Sequence, residues 1–469
     1  MNKSRCISAA SVLAGLAISG SATAAPDVVL CQLYDFSQFS SDGTARGLAL
    51  ATTSWNIGTT DLIWFANPDA RHPFIAMNMY RKEGGRFEQI GTSWVKHGFF
   101  ALANLQCDMP NLPNCTFEPG HGEGDYLGQG CTDTYDAFLN AFGLGPRYEI
   151  NPWTGAFDYN TSLYNTGGFP TVPMRQLRVQ DDAMNPAMHL QGIFYMEGYY
   201  VHFQDENPMN NAAWKQVTPV RDGSGNYTFT STPVTTLPTW GFAIDAWNAT
   251  QTVVAEQVPV VKGVSPDGRC ILAYKVTQNG PNSWHYEYAM QNVDMDRQVD
   301  SFSIPIPAGV NVSNIGFHAP THTETKAYPG GPAIDNAQWT GVVSGGNLTW
   351  TTTTNPLRWG TLYNFRFDAD TAPTNVNASV GLFRAASGRP DDLSALIEGP
   401  SGLTPVCPGD VTGPGGVPDG QIDVDDLNAI LSAFGSNVGV GSPLDLANND
   451  GIIDVDDLNV ILGAWGQSC

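Results

Sequence analysis

The C-terminal part of this 469-residue chain contains an internal repeat. Residues 419–435 read DGQIDVDDLNAILSAFG and residues 450–466 read DGIIDVDDLNVILGAWG, so 13 of 17 positions are identical at an offset of 31. Self-similarity at a fixed period indicates a duplicated structural unit. The end of the chain is therefore expected to form a small module made of two equivalent halves.

Each copy has the spacing of a calcium-binding loop that leads into a helix. Such loops place oxygen ligands at alternate positions, a glycine at position 6 and an acid at position 12. Gly451 and Asp457 take these two positions in the second copy, and Gly420 and Asp426 take them in the first. The entering stretch is one residue longer than this spacing in the second copy and five residues longer in the first.

The oxygen-bearing residues of both loops are the predicted ligands. In the first copy they are Asp410, Thr412, Asp419, Asp423 and Asp426. In the second copy they are Asp445, Asn448 or the backbone near it, Asp450, Asp454 and Asp457. Calcium is the predicted cofactor, because it is a hard cation that takes carboxylate and carbonyl oxygens.

An apolar stripe follows each loop at helical spacing. Its positions are i, i+3, i+4 and i+7, occupied by Leu427, Ile430, Leu431 and Phe434 and again by Leu458, Ile461, Leu462 and Trp465. A short helix with one apolar face is not stable alone, so the two copies are expected to pack together. Gly435 and Gly466 are expected to end the helices.

This tandem of an Asp-rich loop, Asp-Gly, Ile-Asp, Asp-Leu and a short helix resembles a type I dockerin module. The resemblance implies calcium-dependent folding and docking onto a cohesin-like receptor domain. Dockerins often carry Ser-Thr recognition pairs near the helix start, where this chain has Val424-Asp425 and Val455-Asp456. A calcium-stabilised cap without a partner is the alternative interpretation of the same residues.

The charge of the chain is strongly acidic and unevenly distributed. The net charge is −23, and residues 407–469 contain ten Asp and no Glu, Lys, Arg or His. A protein that neutralises phosphates needs basic patches, so the composition argues against a nucleic-acid partner. The 42% hydrophobic content is enough to build packed cores.

The N-terminus has the features of an export signal. Lys3 and Arg5 precede a stretch of apolar and small residues over 7–18, and Ala22-Thr23-Ala24 offers a cleavage site. A signal peptide over 1–24 is therefore predicted, and with it an extracellular or cell-surface location. After its removal we expect no membrane span, because no other apolar run is long enough.

Seven cysteines follow the predicted signal and are expected to form disulfides in an oxidising compartment. Cys407 and Cys469 bracket the repeat and are a natural pair. A local bridge is expected among Cys107, Cys115 and Cys131. Seven is an odd number, so at least one cysteine is left over.

The remainder of the chain has the pattern of a β protein. Short alternating runs predict antiparallel strands, with turns at 222–225 and 344–346 and one short helix over 136–142. The predicted fold is mainly β: one or two large antiparallel modules resembling β-sandwiches, followed by the small helical dockerin-like domain. The predicted divisions are a Gly/Asn/aromatic-rich module over 25–228, a sandwich-like module over 229–385, a linker over 386–406 and the repeat module over 407–469.

No familiar catalytic motif occurs in the large region. The weak catalytic or metal-binding candidates are His97, His121, Glu123 and Asp125, which are interleaved with cysteines. A disulfide-bonded loop with ordinary polar tips is the alternative for this stretch. A second group, His318, His322 and Glu324, contains two histidines four residues apart, but Pro320 argues against a helix there.

Glycoside hydrolysis needs two carboxylates across a cleft. The sequence offers several acids for that role: Glu118, Glu123, Asp125, Asp133, Glu149 and Glu197. It also offers aromatic residues that could stack on sugar rings or pack in a core: Trp153, Tyr159, Tyr164 and Phe169. The stretches GRFEQIG at 85–91 and KHGFF at 96–100 resemble uncharacterised secreted bacterial proteins, which implies no activity.

These observations predict a secreted calcium-binding protein whose dockerin-like tail serves assembly or surface attachment. The large module would have a carbohydrate-binding or structural role. The alternative is a secreted polysaccharide-degrading hydrolase docked through the same tail. The implied partners are a cohesin-like receptor domain and a polysaccharide.

Overall fold

The computed structural model describes residues 25–107, 113–168, 170–171, 174–256, 262, 267–280, 282–402, 408–413, 416, 418–440, 442–448 and 450–468. The predicted signal peptide, Phe169 and the predicted pair Cys407 and Cys469 lie outside these residues. No helix of the described part is long and apolar enough to cross a membrane.

The described residues form 24 strands. In chain order, β1 to β24 are Val28–Ser41, Ala45–Asn56, Leu62–Ile63, Phe74–Glu83, Arg86–Thr92, Val95–His97, Tyr126–Leu127, Thr132–Tyr135, Leu144–Gly145, Leu177–Gln180, Ile193–Val201, Ala212–Arg221, Tyr227–Thr232, Thr239–Trp240, Thr250–Ala255, Arg269–Gly280, Ser283–Asn292, Val299–Pro305, Val312–His318, Thr340–Ser344, Asn347–Thr351, Thr361–Ala369, Pro373–Leu382 and Asp392–Pro400. They form several antiparallel sheets, so the mainly β prediction is confirmed.

The described part also contains five α-helices and two 3-10 turns. The helices α1 to α5 are Ala137–Ala141, Leu163–Thr166, Asp181–Met184, Val424–Ala433 and Val455–Gly463, and the 3-10 turns are Arg147–Glu149 and Ala243–Trp247. The helix predicted over 136–142 is α1, and the side chain of Asp136 caps its N-terminus. The hairpin turns predicted at 222–225 and 344–346 join β12 to β13 and β20 to β21.

The first sheet closes on itself. Its strands follow the order β11-β12-β13-β1-β2-β10-β5-β4, and β4 pairs in turn with β11 along nine residues of each strand. Alternate residues of these strands point inward into one buried core, which includes Leu30, Leu48, Met77 and Met196. This closure was not predicted from the sequence.

In a second sheet, β15-β16-β17-β22-β19, the three central strands are buried on both faces along much of their length. In β16, Ile271 and Ala273 pack with residues of the first sheet, whereas Leu272 and Tyr274 pack with residues of the third sheet, β20-β21-β18-β23-β24. The period-two alternation of a strand sends successive side chains to opposite faces. The first and third sheets of the large region therefore pack on opposite faces of the second sheet.

The predicted divisions differ from these elements in two places. The boundary between 228 and 229 falls inside β13, and the predicted linker over 386–406 contains β24, which pairs with β23. In β24 the buried Leu393, Ala395 and Ile397 alternate with exposed residues. The exposed Leu396 interrupts the apolar-polar alternation in the sequence, which weakens the strand signal there.

Two disulfides fix the loop-rich part of the first half. They join Cys31 to Cys107 and Cys115 to Cys131, and the second is the local bridge that the sequence predicts. Cys270 is a buried free thiol, and burial raises its pKa well above the usual value. The disulfides are compatible with an oxidising, extracellular environment.

The two repeats pair reciprocally in the tail. Ile422 N donates to Gln467 O at 3.0 Å, and Ile453 N, 31 residues later, donates to Ser436 O at 3.1 Å. Ile422, Ile430, Ile453 and Ile461 form the centre of a small buried core between α4 and α5. The predicted packing of one copy against the other is therefore present.

Arg147 is buried where the first sheet meets the second sheet. Its guanidinium donates to Gly360 O at 2.9 Å on one side and to Met77 O at 3.0 Å and Asn78 Oδ1 at 2.9 Å on the other. Burial lowers the pKa of Arg147 to about 10, so the side chain remains charged at neutral pH.

Replacement of Arg147 by Met is expected to lower the free energy of unfolding of the large region by about 3–5 kcal/mol, because buried acceptors lose their donor. Urea unfolding followed by tryptophan fluorescence would measure this. Arg71→Met is the control, since Arg71 is exposed and pairs with Asp69 nearby in sequence. Equal stability of Arg147→Met and wild type would contradict this role.

Candidate functional site

The predicted ligands Asp423 and Asp426 begin α4, and Asp454 and Asp457 begin α5 in the same way. Asp423 and Asp454 are N-caps, and both helices start with a complete capping box. The second oxygen of each box acid also reaches the preceding loop: Asp426 Oδ1 accepts from Val411 N at 2.7 Å, and Asp457 Oδ1 accepts from Leu446 N at 2.7 Å. These acids therefore hold loop and helix together.

The entering acids take equivalent places in the two loops. Asp410 Oδ2 accepts from Gly420 N and Asp445 Oδ2 accepts from Gly451 N, both at 2.9 Å. Both glycines have positive φ angles, +86° and +81°, which allow the sharp turn predicted at position 6. The extra residues in each entering stretch therefore leave the contact between the first acid and the glycine unchanged.

The remaining predicted ligands form hydrogen bonds within the loops and to the helix starts. Asp419 Oδ1 accepts from Gln421 N, and Asp450 Oδ1 accepts from Ile452 N. Asn448 donates through its side chain to Asp456 Oδ2 at 2.8 Å, and the amide of Thr412 donates to Asp426 Oδ1 at 2.9 Å. Among the described tail residues, no three acidic residues bring one carboxylate oxygen each within 4.8 Å of one another.

Charge and burial nevertheless suit a cation. Asp426 and Asp457 are 0% and 1% exposed, and within the described residues neither they nor Asp445 form an ion pair with Lys, Arg or His. Burial opposes ionisation of Asp457, but its backbone hydrogen bonds outweigh that effect and lower its pKa. The Oδ1 atom of Asp445 is buried and has no hydrogen-bond partner. The oxygen-only donor set fits a hard cation such as calcium.

Half of the predicted apolar stripe faces solvent. Ile430 and Ile461 are buried, whereas Leu431, Phe434, Leu462 and Trp465 are about half exposed. Val424 and Val455, at the helix starts, are 55% exposed. Both copies therefore present an equivalent face, named here the duplicated face: Val424, Leu431 and Phe434 in the first copy and Val455, Leu462 and Trp465 in the second.

His97 lies in a closed aromatic environment. Its Nδ1 is 3.0 Å from Nε2 of His72, and its ring stacks on Tyr164 at 3.9 Å. Burial, followed by the neighbouring His72, lowers the pKa of His97 well below its usual range. His97 is therefore neutral at physiological pH. Tyr164 therefore packs against His97. Trp153 is also a packing residue, because it is buried beneath the guanidinium of Arg269.

His121 has different neighbours. Its Nδ1 lies 3.0 Å from Asp61 Oδ2 and 3.6 Å from Glu118 Oε2, and its ring stacks on Tyr126 at 3.7 Å. The side chains of Glu123 and Asp125 are exposed outside this group. Among the candidates of this stretch, the structure thus brings together His121 and Glu118, and it adds Asp61, which no sequence motif identified.

The second histidine pair does not share a site. His318 Nε2 is 3.0 Å from Gln89 O, and His322 Nε2 is 2.6 Å from Asp335 O. Glu324 accepts from the amides of Arg147 and Tyr148. These three residues therefore bind backbone groups.

The other candidate acids have contrasting surroundings. Glu197 is fully buried and bonded to Asn78, Tyr80 and the amide of Ala243, which is a structural arrangement. Burial raises the pKa of Asp133 to about 7. Burial also raises the pKa of Glu149 to about 7, and Glu149 lines two adjoining cavities of about 210 and 430 Å³ together with Asp158.

A larger groove of about 1070 Å³ opens between β1 and β13. These strands pair only at Ser37 and Thr228, and the register of β1 against β2 shifts between Tyr34 and Ser37. The lining of the groove includes the partly exposed rings of Tyr34 and Phe229 and the rings of Phe36 and Tyr227, which are buried in the core of the first sheet. The lining also includes six serine and threonine side chains, namely Ser37, Thr228, Thr230, Ser231, Thr235 and Thr236. Its one carboxylate is Asp35.

Comparisons with known proteins identify no family for this chain. No protein-family model matches the chain, and no curated protein matches it. Among solved structures, it matches the partial N-terminal region of an enterococcal surface protein at 9% identity, covering 78% of this chain and 92% of that chain with a TM-score of 0.13. A TM-score this low does not show a shared fold.

Proposed function

We propose that this is a secreted calcium-binding protein that attaches to a cohesin-like receptor domain through its C-terminal repeats. Residues 407–469 form a dockerin-like module in this proposal, and the second and third sheets form a β-sandwich. The observation that carries the proposal is the burial of Asp426 and Asp457 in a segment without Lys, Arg or His. Backbone amides compensate the burial of these carboxylates in part, and calcium would supply the positive charge that the segment lacks.

The duplicated face supports docking. Each copy exposes one valine, one leucine and one aromatic residue at positions 31 apart. Val424 and Leu431 are seven residues apart and therefore lie on the same side of α4, as Val455 and Leu462 do on α5. Exposed apolar patches of this kind mark protein–protein contacts.

The groove between β1 and β13 supports carbohydrate binding by the large region. Aromatic rings offer apolar faces for the C–H surface of a sugar, and neighbouring hydroxyl groups offer hydrogen bonds to its hydroxyls. Hydrolysis requires two carboxylates, whereas Asp35 is the one carboxylate that lines the groove. The groove therefore favours binding over cleavage.

A hydrolase remains the second candidate, on a different site. Glu149 has a pKa of about 7, which suits a general acid at neutral pH, and Asp158 lines the same cavities. Tyr148 and Phe157 supply aromatic lining there.

Asp445→Asn is expected to weaken calcium binding of the full chain by more than about ten-fold at one of two sites, because it removes a predicted ligand oxygen. Asp425→Asn, an exposed neighbour in the other copy, is the control and should bind as wild type. Isothermal titration calorimetry would measure both. Chelation should also reduce the helical circular dichroism of the tail, since metal binding is coupled to folding. Equal binding by both variants would contradict the assignment.

The double variant Leu431→Asp with Leu462→Asp is expected to lose binding to a cohesin-like domain in calcium while it keeps calcium affinity. Either single variant should retain binding, because the other copy still presents its half of the duplicated face. Surface plasmon resonance against purified cohesin-like domains would test this. Val440→Asp is the control, since Val440 is 68% exposed between the copies. Failure of the wild type to bind any such domain would leave the tail as a cap.

Tyr34→Ala and Phe229→Ala are each expected to weaken polysaccharide binding by about five-fold or more, the loss of one stacking contact. Affinity electrophoresis across a polysaccharide panel would measure this, with the exposed Phe138→Ala as the control. Reducing-sugar release by the wild type that disappears in Glu149→Gln would instead favour the hydrolase. Unchanged binding in both groove variants would exclude the groove as the binding site.

A further inference from the structure

The loop around His121 is held rigidly over Asp61. Asp61 directly precedes β3, which pairs with β7 just after His121. Ala101 and Gly124 exchange two backbone hydrogen bonds, and Glu118 N donates to Asp61 Oδ2 at 2.9 Å. The Cys115–Cys131 disulfide closes the same loop. The three side chains are thus positioned by backbone contacts and not only by each other.

Their ligand atoms are spaced like those of a metal site. One atom from each of Asp61, Glu118 and His121 lies within 4.8 Å of the others. His121 Nδ1 is 3.0 Å from Asp61 Oδ2 and 3.6 Å from Glu118 Oε2. Tetrahedral zinc with ligands at about 2.0–2.1 Å requires ligand atoms roughly 3.3 Å apart. The two separations lie on either side of that value.

Charge and burial point to the same ligand. The Asp61 side chain is 0% exposed, and its Oδ1 atom is buried without a hydrogen-bond partner. An ion pair with His121 would leave that oxygen unpaired and two carboxylates side by side. Within the described residues, neither Asp61 nor Glu118 has an ion pair with Lys or Arg.

We propose that Asp61, Glu118 and His121 form a zinc site that is separate from the calcium loops. The combination of imidazole and carboxylate favours zinc over calcium, which takes oxygen ligands alone. His121 and Glu118 are partly exposed, so the fourth position opens to solvent and takes water.

The test is a zinc titration of the full chain in saturating calcium, which keeps the tail loops filled. Wild type should bind one zinc ion per chain, and both His121→Gln and Glu118→Gln should weaken binding by about ten-fold or more, the loss of one ligand. Cobalt should bind at the same site and give the visible absorption of a four-coordinate ion.

His285→Gln is the matched control. His285 also contacts two carboxylates, but through opposite ring nitrogens, with Nδ1 2.6 Å from Asp368 and Nε2 3.2 Å from Glu287, so they cannot share one ion. It should bind zinc as wild type does. Thermal unfolding would confirm that all variants are folded. Absence of zinc binding in wild type, or wild-type affinity in both His121→Gln and Glu118→Gln, would overturn the proposal.

Discussion

The guanidinium of Arg147 holds the large region together as one unit. It is buried where the closed first sheet meets the second sheet, and it donates to backbone oxygens on both sides. Apolar packing alone is non-directional, whereas these hydrogen bonds fix how the two sheets meet. Glu149, which lines two of the cavities, lies two residues further along the chain.

Local patterns predicted local structure well. The loop–helix repeats, the hairpin turns and the capped helix α1 follow from residues close together in sequence, and each is present. The closure of the first sheet depends instead on pairing between β4 and β11, more than a hundred residues apart. A strand shows which face is apolar but not which strand pairs with it, so this closure could not be read from one sequence.

The candidate sites also differ in whether their residues are close together or far apart in sequence. The predicted calcium ligands of the tail are spaced within two short segments, and the residues 31 apart take equivalent places. His121 was identified by its neighbourhood of glycines and acids, but Asp61 lies 60 positions away. The sequence signal at Asp61 is weak, because an acid before a short strand resembles any turn residue. The surroundings of His97 depend equally on distant residues, because it is buried among aromatic rings and contacts His72.

The two parts of the chain depend on different interactions for their stability. The large region has extended apolar cores and two disulfides, whereas the tail has a much smaller core, centred on four buried isoleucines. On the proposed function, calcium supplies the missing free energy in the tail and neutralises its acids. Attachment would then respond to calcium while the ligand-binding region stays folded. On this proposal, a module that needs calcium to fold lies next to a region that folds without it, so the control of location is separate from the binding of ligand.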